Sequence, residues 1–239
     1  MSKIINPHEN DQGLIKSAPN PIHRRSFIKY AGAGVALSAM FIAGCNDNDD
    51  DEIDYSKTNI MLGTGDTAIL NFAYALEQLE AAFYTQVIEN KFSGITALET
   101  SVLTDIRDHE IAHREFFKTV LGSNAIQMLT PDFSSINFGD RTSVLQTAQT
   151  FEDLGVSAYN GAGKHLTNAT NLALAGKIVS VEARHAAEIR EIIQVNTFAS
   201  RPNPINTMGL DLATPPAQVL TAAQKFIKER INTTNVPTT

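Results

Sequence analysis

Two stretches of the chain place a carboxylate and an imidazole three residues apart: Glu110-Ile-Ala-His113 and, 72 residues later, Glu182-Ala-Arg-His185. On a helix this spacing puts both side chains on one face, about one turn apart, where they suit a single metal ion. With 13 glutamates among 239 residues, a histidine has roughly a 5% chance of a glutamate three positions before it. Two such pairs among six histidines arise in only about a few per cent of random chains. The pattern therefore carries chemical information, and its meaning depends on which face of each helix it occupies.

From Gly65 onward the hydrophobic pattern is helical, with no sustained period-two alternation, so the fold class is all-α. The first helix is predicted from Asp66, as N-cap, to about Asn90. The second starts at Thr96, with Glu99 completing a capping box, and runs to about Val120. A long stretch with Gly122, Pro131 and Gly139 precedes a third helix, about Arg141 to Ala162. The fourth covers roughly Thr167 to Val195, and a short helix runs from Pro216 to about Ile231. Connections in the order short, long, short make antiparallel hairpins joined by one crossover, the scheme of a ferritin-like four-helix bundle.

At spacings of three and four, each helix shows an apolar stripe interrupted at its centre. The second reads Leu103, Ile106, Glu110, His113, Phe117, Val120, and the fourth Ile178, Glu182, His185, Ile189, Ile192. The third reads Leu145, Ala148, Glu152, Gly155, Tyr159, Ala162, and the first Leu70, Ala73, Glu77, Glu80, Tyr84, Val87. Buried unpaired carboxylates cost several kcal/mol each. A salt-bridge network would offset that cost, yet no Lys or Arg lies on these stripes. Two divalent ions would neutralise four carboxylates and two neutral imidazoles. An internal echo supports the choice of residues: Glu77 precedes Tyr84 by seven positions, as Glu152 precedes Tyr159. Glu77, and not Glu80, is thus the expected ligand of the first helix. Glu80 corresponds to Gly155, and is expected to serve as an extra ligand, a proton acceptor beside the ligands, or a rim residue in water. Tyr84 and Tyr159 are expected beside the ligands, as electron relays or as core tyrosines with satisfied hydroxyls. His109 and His165 lie off the stripes and are expected at the surface.

The N-terminal region has a different character. Residues 1–45 hold Arg24-Arg25, Phe27 and Lys29, then an apolar run from about Tyr30 to Gly44 that closes on Cys45. That run is too short to span a bilayer of ~30 Å. Arg-Arg-x-Phe-Ile-Lys resembles a twin-arginine export signal, and Ile42 to Cys45 resembles a bacterial lipobox. The lone cysteine is then a lipid anchor, and the mature domain has no thiol chemistry. Residues 46–64 open with an acidic tract and are expected to form a disordered tether, 65–196 the bundle, and 197–239 a C-terminal extension. The leader holds five basic and two acidic residues, so its removal takes the net charge from -7 to about -10. Such a chain repels phosphate backbones, which argues against nucleic acid as a partner. The expected location is beyond the bacterial inner membrane, lipid-anchored on the periplasmic or cell-envelope side. Twin-arginine export carries folded proteins, so cytoplasmic availability would choose the metal.

"ALEQLEAAFY" (Ala75 to Tyr84), "DHEIAHREFF" (Asp108 to Phe117) and "FEDLGVSAYNGAG" (Phe151 to Gly163) resemble the ferritin-like superfamily of di-iron and di-manganese carboxylate proteins. They look in particular like its exported ferritin-like domain family, grouped with desiccation- and stress-related proteins. The resemblance implies Glu77, Glu110, His113, Glu152, Glu182 and His185 as ligands to two iron or manganese ions. The expected activity is redox chemistry on a small oxidant, a peroxide or O2, with Glu80 moving protons. The alternative is a non-enzymatic stress-protective envelope protein whose metal holds the bundle together. An acylated tether fits poorly with a closed iron-storage shell.

Overall fold

A computed structural model describes residues 54–199 and 205–238. The export signal with Arg24 and Arg25, the lipobox Cys45, most of the acidic tract, and Pro202 and Pro204 lie outside the described residues. Four long helices follow from the stripes: α1 (Gly65–Glu89), α2 (Ala97–Leu121), α3 (Arg141–Gly163) and α4 (Ala169–Ile193), with a short α5 (Pro216–Ala223). None is long and apolar enough to cross a membrane, among the described residues.

The ends of the helices fix their directions. The Asp66 carboxylate at the start of α1 accepts from the backbone N–H groups of Thr167 and Asn168, the Thr167 hydroxyl and the Asn171 amide, at the start of α4. At the opposite end, Arg141 at the start of α3 donates to Glu99 at the start of α2, at 2.7 Å, and to the carbonyl of Ile192 at the end of α4. So α1 and α4 run one way and α2 and α3 the other. This is the four-helix bundle with one long crossover between α2 and α3.

Thr96 and Glu99 form the expected capping box. Asp66 does not cap α1; Thr64 holds the N-cap position, and Asp66 is occupied in stapling α1 to α4. Val120 is 43% exposed and Leu121 is buried in its place, because the core stripe advances by four from Phe117 and not by three. Helix α4 stops at Ile193, short of the expected Val195. There Glu191 accepts the N–H groups of Asn196, Thr197 and Phe198, and Asn196 turns the chain with φ 67°.

Helix α1 is buried nearly all round. Its side away from the site carries Asn71 and Gln78, whose amides bond the backbone of Leu62, Asn124, Ile126, Gln127 and Leu129. The crossover is thereby laid along α1 with its backbone polar groups satisfied. Residues 54–64, expected within the tether, instead make a 3₁₀ turn (Tyr55–Lys57) and a two-residue strand β1 (Ile60–Met61), and Leu62 enters the core. β1 pairs in parallel with β2 (Ile231–Asn232). Two residues leave no alternation to read. The helix expected to reach Ile231 ends at Ala223 and tightens into a 3₁₀ turn, Gln224–Phe226. Beyond it the chain bonds sideways, with Lys228 N–H donating to Thr130 C=O and the buried Glu229 accepting from the Thr130 backbone and hydroxyl. The extension crosses α3 at Gly161, where a Cβ would collide with the Thr214 carbonyl.

Candidate metal centre

All four stripes bring their polar residues to one level of the bundle interior. Glu77, Glu110, Glu152 and Glu182 have 0% exposure, and His185 is buried with 5%. His113 is slightly more open, with 13% of its side chain exposed. His113 Nδ1 lies 2.8 Å from Glu182 Oε1, 3.4 Å from Glu77 Oε2 and 3.7 Å from Glu110 Oε2. His185 Nδ1 repeats the pattern, 2.7 Å from Glu110 Oε1, 3.6 Å from Glu152 Oε2 and 3.7 Å from Glu182 Oε2.

These approaches are close, but none has hydrogen-bond geometry. Eight of the ten buried side-chain N and O atoms without a hydrogen bond, among the described residues, belong to this cluster. They are both oxygens of Glu110 and of Glu182, Oε2 of Glu77 and of Glu152, and Nδ1 of His113 and of His185. Carboxylate and imidazole atoms that converge in this way form a donor set for cations. The atoms fall into two groups, each within 4.8 Å: Glu77, Glu110, His113, Glu182, and Glu110, Glu152, Glu182, His185. Glu110 and Glu182 belong to both. The six residues expected as ligands thus come together in two overlapping sets, whose donor chemistry fits divalent metal ions.

The internal echo is visible in the contacts around these groups. Tyr84 on α1 donates to Glu152 Oε1 on α3 at 2.5 Å, and Tyr159 on α3 donates to Glu77 Oε1 on α1. Each tyrosine therefore holds one oxygen of the opposite hairpin's glutamate and leaves its Oε2 facing the centre. Burial, and then the facing carboxylates, push both phenols well above their ordinary values.

Glu80 is 4% exposed, so the rim position considered for it does not hold. Its Oε1 lies 3.1 Å from where a Cβ on Gly155 would stand. The corresponding position of the other hairpin has no side chain, and that gap admits the fifth carboxylate. Glu80 belongs to neither metal-capable group. Burial first, then Glu110, Glu182, Glu152 and Glu77, raise it well above the carboxylate range. Burial and the Glu182 charge raise Glu110, and burial raises Glu152. Burial works against charge on Glu182 too, but His113 and His185 outweigh it and the value falls. Burial opposes charge on His185, yet Glu110, Glu152 and Glu182 push it up to about 12. His113 is driven up in the same way by Glu110, Glu182 and Glu77.

His109 is exposed, as expected, but its Nδ1 lies 2.9 Å from Nε2 of His185, and the two rings meet edge to edge, 16° from parallel. A search for glutamate three residues upstream misses this contact. The available signal was the i, i+4 spacing of His109 and His113, which places His109 beside the same face. His165 is half-buried in the α3–α4 connection and joins neither metal-capable group.

A family model described as a ferritin-like domain matches residues 65–195, the full extent of the four helices. No curated protein matches the chain.

Proposed function

The chain belongs to the ferritin-like domain family, and from that premise we propose that it is an exported, membrane-anchored protein with a dinuclear iron or manganese centre that reacts with a peroxide or O2. The observation that carries the reading is the set of eight buried donor atoms that converge on one another without a hydrogen bond, among the described residues. When bound, two such ions would supply Lewis acidity and one-electron redox reach at the carboxylate cluster.

The residues have separable tasks. Glu110 and Glu182, common to both groups, would be shared between the ions, with Glu77 and His113 completing one side and Glu152 and His185 the other. Tyr84 and Tyr159 orient the terminal carboxylates by holding one oxygen of each. Glu80, buried against Gly155, would hold a proton beside the cluster. The four cluster glutamates are fully buried, so charges among them interact more strongly than in solvent. Export follows from Arg24, Arg25 and the following apolar run, and anchoring from Cys45. These imply the twin-arginine machinery and a lipid bilayer as partners.

Complete burial of the four carboxylates favours a second reading, a non-enzymatic, stress-related envelope protein in which the metal holds the helices together. Structural metal contributes on the order of 10 kcal/mol to folding. One experiment addresses both. The chain purified from its native envelope is assayed for bound metal by mass spectrometry, then for peroxide and O2 turnover above free-metal controls. Two equivalents of iron or manganese, lost together in Glu110→Ala/Glu182→Ala, with turnover, support the redox reading. Metal without turnover supports the structural one. A folded bundle without metal overturns both.

A further inference from the structure

The two metal-capable groups are related by the internal echo, yet their surroundings differ at one point. His185 has its outer ring nitrogen, Nε2, 2.9 Å from Nδ1 of His109. For His113 the corresponding position, one residue before Glu182, is Val181, which has no side-chain hydrogen-bonding atom. No described residue hydrogen-bonds the outer nitrogen of His113.

An imidazole binds metal through one nitrogen only if the other keeps the proton. A partner that accepts that proton fixes both the tautomer and the ring orientation. With Nδ1 of His109 as acceptor at 2.9 Å, Nε2 of His185 keeps its proton, and Nδ1 is the nitrogen left to exchange its proton for a metal ion. His109 can accept there because its own proton then sits on Nε2, on its exposed side. The two rings are nearly coplanar, at 16°, and meet edge to edge, the geometry of an in-line N–H···N hydrogen bond.

We propose that His109 is a positioning residue for His185 and makes the two groups unequal, so that Glu110/Glu152/Glu182/His185 fills with a divalent metal before Glu77/Glu110/Glu182/His113. This rests on the metal reading above. The pre-set His185 side would hold the first ion, and the His113 side, whose outer nitrogen has no described partner, the second. His113 is the more exposed of the two histidines, 13% against 6% of the side chain.

The test is a Mn2+ titration of the metal-free full chain, followed by calorimetry and by the electron-spin signal of free Mn2+. Two resolved steps are expected in the wild type. His109→Ala should weaken the tighter step roughly 10- to 100-fold and leave the other, merging the two. His109→Gln, which keeps an acceptor, should restore most of the separation, and Val181→Ala should change neither step. A second readout separates positioning from a general structural effect. In Zn2+-loaded protein, a slowly exchanging Nε2–H of His185 coupled to the His109 nitrogen should appear in the imidazole ¹H–¹⁵N spectrum and vanish in His109→Ala. Wild-type filling in one unresolved step, or a His109→Ala titration like the wild type, overturns this inference alone. A wild-type chain that takes up no metal overturns it together with the reading beneath it.

Discussion

Glu80 and Gly155 occupy corresponding positions of the two helical hairpins, and one lacks the volume that the other fills. A methyl group on Gly155 would stand 3.1 Å from Glu80 Oε1 and 3.9 Å from Glu182 Oε2, tighter than ordinary packing on the Glu80 side. Gly155→Ala is therefore expected to cost about 1–3 kcal/mol by overpacking. The same change in a Glu80→Ala background should cost almost nothing, because the crowded atom is gone. Chemical denaturation of the four members of this cycle measures the coupling directly. Equal costs in both backgrounds would mean that Gly155 is needed for another contact. The two tyrosines allow a parallel comparison. Tyr84→Phe and Tyr159→Phe each remove the hydroxyl donated to Oε1 of a buried glutamate. Each should destabilise the metal-free chain by about 1–3 kcal/mol, the cost of an orphaned buried acceptor. Similar losses in the two variants would show that the hairpins are equivalent at this point, in contrast to the histidines.

The elements were legible where a single periodicity governs them. The four stripes, the Thr96–Glu99 capping box and the crossover follow from spacings of three and four, and so do the six cluster residues, because a helix converts spacing into a face. What escaped depends on contacts between distant segments. Asp66 looks like an N-cap, but its acceptors are more useful to the α4 start 101 residues away. Asn71 and Gln78 read as polar interruptions of α1, and only the crossover laid against them explains their burial. The β1–β2 pair joins residues too far apart and too few in number to leave a pattern. His109 belongs to this class as well, since its value lies across a helix interface. Gly161 is the element-scale case that can be tested. The C-terminal extension crosses α3 against its bare backbone, with Thr214 N–H donating to Ser157 C=O at 2.9 Å. A backbone carbonyl cannot retreat as a side-chain tip can, so Gly161→Ala should lift the extension from α3. Limited proteolysis is expected to cut the variant near residues 205–215 much faster than the wild type, with the bundle itself surviving. Unchanged cleavage would place the extension's hold on the bundle at the Glu229–Thr130 contacts and the β1–β2 pair.

At the scale of the whole molecule, the cluster makes stability depend on pH with opposite sign in the metal-free and metal-loaded chains. Consider the metal-free chain first. His185 is held up to about 12 against 6.5 when unfolded, so its contribution is fully present below pH 6.5 and fades as pH rises toward 12. His113 behaves alike. Glu80, Glu110 and Glu152, raised above the ordinary 4.5, favour folding while protonated and cost stability as pH climbs through their raised values. Glu182, lowered, runs the other way, but its contribution is already complete above pH 4.5. Asp66, held low by its hydrogen bonds, chiefly from the Thr167 backbone, is likewise ionised throughout and adds no slope. Between about pH 5 and pH 8 the metal-free bundle should therefore lose thermal stability as pH rises. Metal reverses the sign. Each ion replaces protons on imidazole and carboxylate, so binding, and the stability linked to it, strengthens as protons become scarcer. Thermal unfolding at about pH 5, 6.5 and 8, with chelator and with saturating Mn2+, should give two lines that diverge with pH. Parallel lines would mean that the five buried carboxylates do not share protons with the histidines in the empty bundle. Divergence would place the folding of the bundle under the control of the same residues that would hold the metal, and the metal-free chain at the upper end of this pH range would then be the form most prone to unfold.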